Sequence, residues 1–173
     1  MTFKGKGSLK KIVVLGVGNI LLRDEGVGIY VVNELAKEIL PKNVEVVDGG
    51  LVGRDFLPLL ERADKLIIVN ILKRDDKPGT CLKPGLSEVE RALKVEDTSI
   101  DQLALFSALD DVKVRGNCPE IVVVSVVPKE VDVGMGLSRE LQESIPTIIE
   151  RIKEEFDHGS KKEDSKERSE DTK

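Results

Sequence analysis

Four short runs of aliphatic, mostly β-branched residues constrain this chain more than any other feature: IVVLG at 12–16, VEVVD at 44–48, LIIVN at 66–70 and IVVVSVV at 121–127. Runs this short and this nearly unbroken suit parallel strands covered on both faces, where a side chain meets a packed layer whichever way it points. The intervals between them carry helical spacing instead. Val27, Val31, Leu35 and Ile39 recur every four residues, which predicts the inner face of a helix over 24–40, halted by Pro41. Ser99-x-x-Gln102 has the pattern of a capping box and opens a helix carrying Leu103, Phe106 and Leu109. A last helix runs roughly from Ser138 to Phe156, with Leu141, Ile145, Ile148, Ile149, Ile152 and Phe156 facing inward and Pro146 expected to kink or restart it. GTCLKP at 79–84 reads as a short edge strand. Strands and helices alternating in this order predict an α/β fold, a three-layer α/β/α sandwich around a twisted, mostly parallel sheet of about five strands.

A chain of 173 residues suits a single domain, expected here over 1–156. Residues 157–173, DHGSKKEDSKERSEDTK, have no apolar side chain to bury and are expected to form a disordered charged tail. Aromatics make up only 3% of the chain and tryptophan is absent, so the core has to be aliphatic. The net charge of −5, with no basic cluster in the body of the chain, argues against nucleic acid or an anionic membrane as the partner. No apolar stretch reaches the ~18 residues of a membrane-spanning helix. The basic N-terminus is followed by too short an apolar run for a secretory signal. Cys81 and Cys118 form no CxxC or close metal-ligand pair. A cytoplasmic, reducing setting is the expectation.

The stretch LGVGNILLRDEGVG, residues 15–28, follows the first run. Gly16-Val17-Gly18 after a strand invites a dinucleotide reading, and Asp48 at the end of the second run resembles a ribose-binding acid. The fingerprint, however, needs a third glycine where this chain has Leu21, and Asp24-Glu25 would repel a pyrophosphate arriving at the helix start. No P-loop is present. Gly26 and Gly28 weaken the first helical turn and make better sense as places of close backbone packing.

Ligands of open parallel sheets bind beyond the carboxyl ends of the strands. Glu25, Asp48, Asn70 and Asp101 all fall there. Each has a plain structural explanation. Asp24 suits an N-cap, Glu25 and Asp101 are first-turn acids favoured by the helix dipole, and Asp48 and Asn70 can close turns. Together they would form a dense oxygen cluster able to ligate a divalent cation, a hard ion unless the partner brings softer donors. Nucleophile chemistry has little to stand on. The one histidine, His158, opens the tail, neither cysteine has a histidine nearby in sequence, and Ser125 lacks a nucleophile-elbow pattern.

GVGNILLRDEGVG, then VEVVDGG, then LIIVN before a polar loop and PGT, together with VVPKEVDVGMGLS ahead of the last helix, closely resemble the hydrogenase maturation endopeptidases, peptidase family M52. The likeness covers roughly Lys11 to Phe156. It implies a twisted, mostly parallel sheet with helices on both sides. It also implies an endopeptidase whose partner is the precursor of a [NiFe] hydrogenase large subunit. The C-terminal extension is removed once nickel is in place, beyond a Cys-x-x-Cys-x-x-His/Arg motif. Nickel would be presented by the substrate rather than stably held, with no organic cofactor. The family's metal contacts are a Glu, an Asp and a His. They fall here on Glu25, on Asn70, where the carboxylate is an amide, and on Asp101, where the imidazole is a carboxylate. Asp48 matches the acid of the D-G-G segment. The resemblance thus makes Glu25 and Asp48 the candidate catalytic residues and Glu25, Asn70 and Asp101 the candidate metal contacts. The rival expectations are a precursor-binding chaperone of the same fold that does not cut, and a nucleotide-binding domain.

Overall fold

The computed structural model describes residues 9–52, 55–95 and 100–157. Its strands are β1 (Ile12–Gly16), β2 (Val44–Asp48), β3 (Lys65–Ile71), β4 (Cys81–Leu82) and β5 (Glu120–Val126). They form one sheet in the order β2-β1-β3-β5-β4, parallel except for the antiparallel edge strand β4. A 3-10 turn (Arg23–Gly26) leads into α1 (Val27–Leu35). α2 (Gly49–Val52) and α3 (Leu57–Arg62) lie between β2 and β3, α4 (Leu86–Val95) and α5 (Ile100–Val114) between β4 and β5, and α6 (Arg139–Asp157) follows β5. The three-layer α/β architecture read from the sequence is the one observed.

Alternation along the strands sorts the core into two layers. Ile12, Val14, Ile67, Val69, Val122 and Val124 pack with α1 and α6, whereas Val13, Leu15, Leu66, Ile68 and Val123 pack with α3, α4 and α5. From β1 the chain passes through α1 to β2 on one side, then returns through α3 to β3 on the other. The crevice beyond the ends of β1 and β3 is therefore the topological switch point, where parallel sheets bind their ligands. α1 comes unusually close to this crevice. A Cβ on Gly28 would lie 2.2 Å from the Val69 carbonyl oxygen and 2.5 Å from that of Val17, so only glycine lets the first turn of α1 settle onto the strand ends.

Three details depart from the expected elements. α1 stops at Leu35, because Lys37 and Glu38 turn back onto the carbonyls of Glu34 and Leu35 in a tighter three-residue pattern, and Ile39, expected on the inner face, is fully exposed. α6 runs unbroken through Pro146 rather than restarting there. α4 was not expected; its apolar Leu86, Val89 and Leu93 do follow helical spacing but are sparse among charges. Ser99 of the capping-box pattern and residues 158–173 of the expected tail lie outside the described residues.

An enclosed ion pair ties α6 across the sheet. The Lys65 ammonium donates to the Glu155 carbonyl oxygen at 2.7 Å and to its carboxylate at 3.1 Å, and Lys83 joins the same carboxylate. Burial alone would raise the Glu155 carboxyl, but hydrogen bonds from Lys83 and Lys65 outweigh it and hold the group below the ordinary carboxylate range.

Candidate functional site

Two loops interlock at the switch point. The first runs from β1 to α1, the second from β5 to α6. Leu22 bridges Gly134, the Arg23 amide donates to the Gly134 carbonyl (3.0 Å), the Gly134 amide to the Leu21 carbonyl (2.9 Å) and the Asp24 amide to the Glu130 carbonyl (3.1 Å). The joint is locked by Asp24. Its fully buried carboxylate accepts from the Lys129 and Glu130 amides (2.9 Å each), the Ser138 amide (2.7 Å) and the Ser138 hydroxyl (2.8 Å). Asp24 is therefore not the helix N-cap its position suggested. α1 has Gly26 at that place, with no side-chain cap.

Backbone geometry at this joint is specialised. Gly18 has φ +138°, and a Cβ there would come within 1.9 Å of the Glu25 carbonyl oxygen, so the first loop can fold beneath the 3-10 turn. Arg23 adopts φ +50°, a left-handed conformation costing roughly 1–2 kcal/mol in a non-glycine residue. The amide bond to Gly134 and the proximity of its guanidinium to Asp132 (3.0 Å) and Glu130 (3.6 Å) hold it there. Strain of this kind persists where surrounding contacts over-determine it, commonly at functional sites.

Glu25 sits in the 3-10 turn with 5% of its surface exposed, and that turn packs against β3. Asn70, near the end of β3, is fully buried. Its Oδ1 accepts the Ser125 hydroxyl at 2.6 Å from the facing position on β5, and its Nδ2 faces Gln102 Oε1 at 3.5 Å. Gln102 belongs to the first turn of α5, and Asp101 is the second residue of that helix. The Asp101 side chain lies outside the described residues. The turns bearing Glu25 and Asp101 are thus both anchored on the end of β3.

Asp48 ends β2, opposite Gly16, at the same rim but two strands from β3, roughly 10 Å away at the usual strand spacing. By alternation it shares the α1 face with Val44 and Val46, whereas Asn70 shares the opposite face with Leu66 and Ile68. Its carboxylate accepts from Asn33 of α1 (3.1 Å) and from the Gly50 amide (2.9 Å).

Sequence reasoning did not assign Gln102, Ser125 and Asp24 to this site. Only the VVPKEVDVGMGLS segment hinted at the second loop. Among the described residues, no three His, Cys, Asp or Glu side chains gather into a group that could hold a metal ion. Cys81, in edge strand β4, has its thiol pushed up by burial and is a poor nucleophile.

Around the rim, Ile20, Leu21, Val131, Val133 and Met135 expose apolar side chains on an otherwise charged surface. Among the described residues no helix is long and apolar enough to cross a membrane.

The fold has solved counterparts. The hydrogenase-maturating endopeptidase HybD from Escherichia coli superposes with a TM-score of 0.77 at 31% identity, covering 87% of this chain and 94% of that one. A [NiFe] hydrogenase maturation protease HybD from Thermococcus kodakarensis gives a TM-score of 0.63 at 26% identity, over 83% and 97% of the two chains. The fold is that of an α/β maturation endopeptidase. In sequence, the hydrogenase 2 maturation protease of Escherichia coli is 35% identical over 145 residues, 82% of this chain and 88% of that protein. The family model described as HycI, hydrogenase maturation protease, matches residues 29–155, and the chain belongs to that family. It is a hydrogenase maturation endopeptidase, with a hydrogenase protein as its substrate.

Proposed function

We propose that the substrate is the nickel-loaded precursor of a [NiFe] hydrogenase large subunit and that the chain removes its C-terminal extension in the cytoplasm. One observation carries this reading. The Glu25 turn and the Asp101 turn, from loops 76 residues apart in sequence (101 − 25), are both moored to the end of β3, so two carboxylate-bearing segments meet at one rim.

Of the three positions the family uses for metal contact, Glu25 and Asp101 carry charge and Asn70 is neutral. The donors on this side are hard oxygens, and soft donors arrive with the cation on the substrate's own cysteines. A cation so presented polarises the scissile carbonyl or activates a water. The near-complete burial of Glu25 excludes competing water and strengthens its attraction for an arriving cation. Glu25 is also the better placed general base. Asp48 stands on the other face of the sheet, two strands from β3 and the Asp101 turn. The exposed apolar rim formed by Ile20, Leu21, Val133 and Met135 suits a protein-sized substrate.

The test is the mass of a nickel-loaded precursor before and after mixing with the chain. Loss of the extension with wild type and none with Glu25→Gln supports the reading. A stable complex without loss of mass identifies a chaperone instead, and full cleavage by Glu25→Gln removes Glu25 from the mechanism.

A further inference from the structure

We infer that Asn70 is a positioning residue rather than a contact of the cation, and that with Ser125 and Gln102 it forms a neutral strut placing the Asp101 turn. The inference rests on the reading above and refines it. Asn70 exposes no surface, Ser125 none and Gln102 3%. Both ends of the Asn70 amide are engaged, Oδ1 by the Ser125 hydroxyl at 2.6 Å and Nδ2 by Gln102 Oε1 at 3.5 Å. Oδ1 keeps a second lone pair, but with no surface of Asn70 exposed a cation could reach it only by prising apart the side chains that enclose it.

The amide also explains itself electrostatically. A carboxylate enclosed here would face two neutral partners, and its burial would be costly unless a cation stood beside it at all times. An amide in the same place is satisfied by Ser125 and Gln102 whether or not substrate is present. The strut spans β5, β3 and the first turn of α5, so it sets how far that turn stands from β3, on which the Glu25 turn also packs. Its effect on catalysis is therefore transmitted through Gln102 to the neighbouring Asp101.

The test is a double-mutant cycle on the full chain, with a nickel-loaded large-subunit precursor from the same source as substrate. Asn70→Ala and Gln102→Ala are each expected to lower kcat by about tenfold, as for loss of one hydrogen bond, with KM within about twofold. Because the two act as one unit, the double variant should be no slower than the slower single. Asn70→Asp should melt lower than wild type and cleave no faster. Losses that multiply in the double variant, or a faster Asn70→Asp, overturn the inference. Should Asn70→Ala fail to fold, Ser125→Ala takes its place in the cycle, and a folded Ser125→Ala with wild-type kcat overturns the inference too. Wild type and Glu25→Gln are assayed alongside. If wild type leaves the precursor uncut the parent reading falls and the strut's catalytic role with it, whereas normal cleavage by Glu25→Gln removes only Glu25 from the mechanism. If Glu25→Gln is inactive while the cycle is multiplicative, the strut alone falls.

Discussion

Replacing Asp24 by alanine should be among the most damaging single changes in the molecule, although Asp24 takes no part in the proposed chemistry. Its carboxylate satisfies four donors from the second loop. The amides of Lys129 and Glu130 are partly buried and can turn to water, but the amide and hydroxyl of Ser138 are buried and cannot. Two orphaned buried donors at ~1–3 kcal/mol each give a loss of about 2–6 kcal/mol. Taking ~4 kcal/mol, and about 2–4 °C per kcal/mol for a domain of this size, Tm should fall by roughly 8–16 °C. Urea unfolding followed by circular dichroism measures the first quantity and thermal melting the second. Ser138→Ala, which removes one of the four donors, should cost only about 1 kcal/mol. An Asp24→Ala variant within ~0.5 kcal/mol of wild type would refute the idea that this carboxylate holds the two loops together.

Gly28→Ala places a methyl 2.2 Å from the Val69 oxygen and should cost about 3 kcal/mol or more, while Gly85→Ala, with nothing within 4 Å of the added carbon, should stay within about 1 kcal/mol; chemical denaturation of both variants compares them directly. The Glu155 carboxyl is held below its unfolded value, so its contribution to stability is fully present above the unfolded pKa of about 4.3 and is lost as pH falls through the folded value. Stability of Glu155→Gln between about pH 5 and pH 2 should accordingly fall less steeply than that of wild type, and parallel curves would contradict the assignment.

Much of the fold was legible because its strands are β-branched runs enclosed on both sides, so that composition and length alone marked them. Val27, Val31 and Leu35 likewise gave α1 away. Ile39 misled because periodicity does not register where a helix tightens into a turn, and α4 was overlooked because Leu86, Val89 and Leu93 are diluted by charge. The candidate site was legible in part. Strand ends pointed to Glu25, Asp48 and Asn70, but the face on which each side chain stands depends on register and parity, which separate Asp48 from Asn70. The Asp24–Ser138 joint spans 114 residues and is invisible to any local pattern. Asp24 looked like a helix cap because a local hydrogen bond is the only kind that a short stretch of sequence can suggest. Gln102 was read as half of a capping box with Ser99, and no local pattern told that its Oε1 also faces Asn70 on another element.

In the proposed reaction, carboxylates from two separate turns of this chain close upon a cation carried in by the precursor. Nickel-edge X-ray absorption of the loaded precursor, alone and in complex with the chain frozen before turnover, tests this closure most directly. Additional oxygen scatterers are expected around nickel in the complex, diminished with Glu25→Gln and again with Asp101→Asn. A coordination shell unchanged by binding would contradict it.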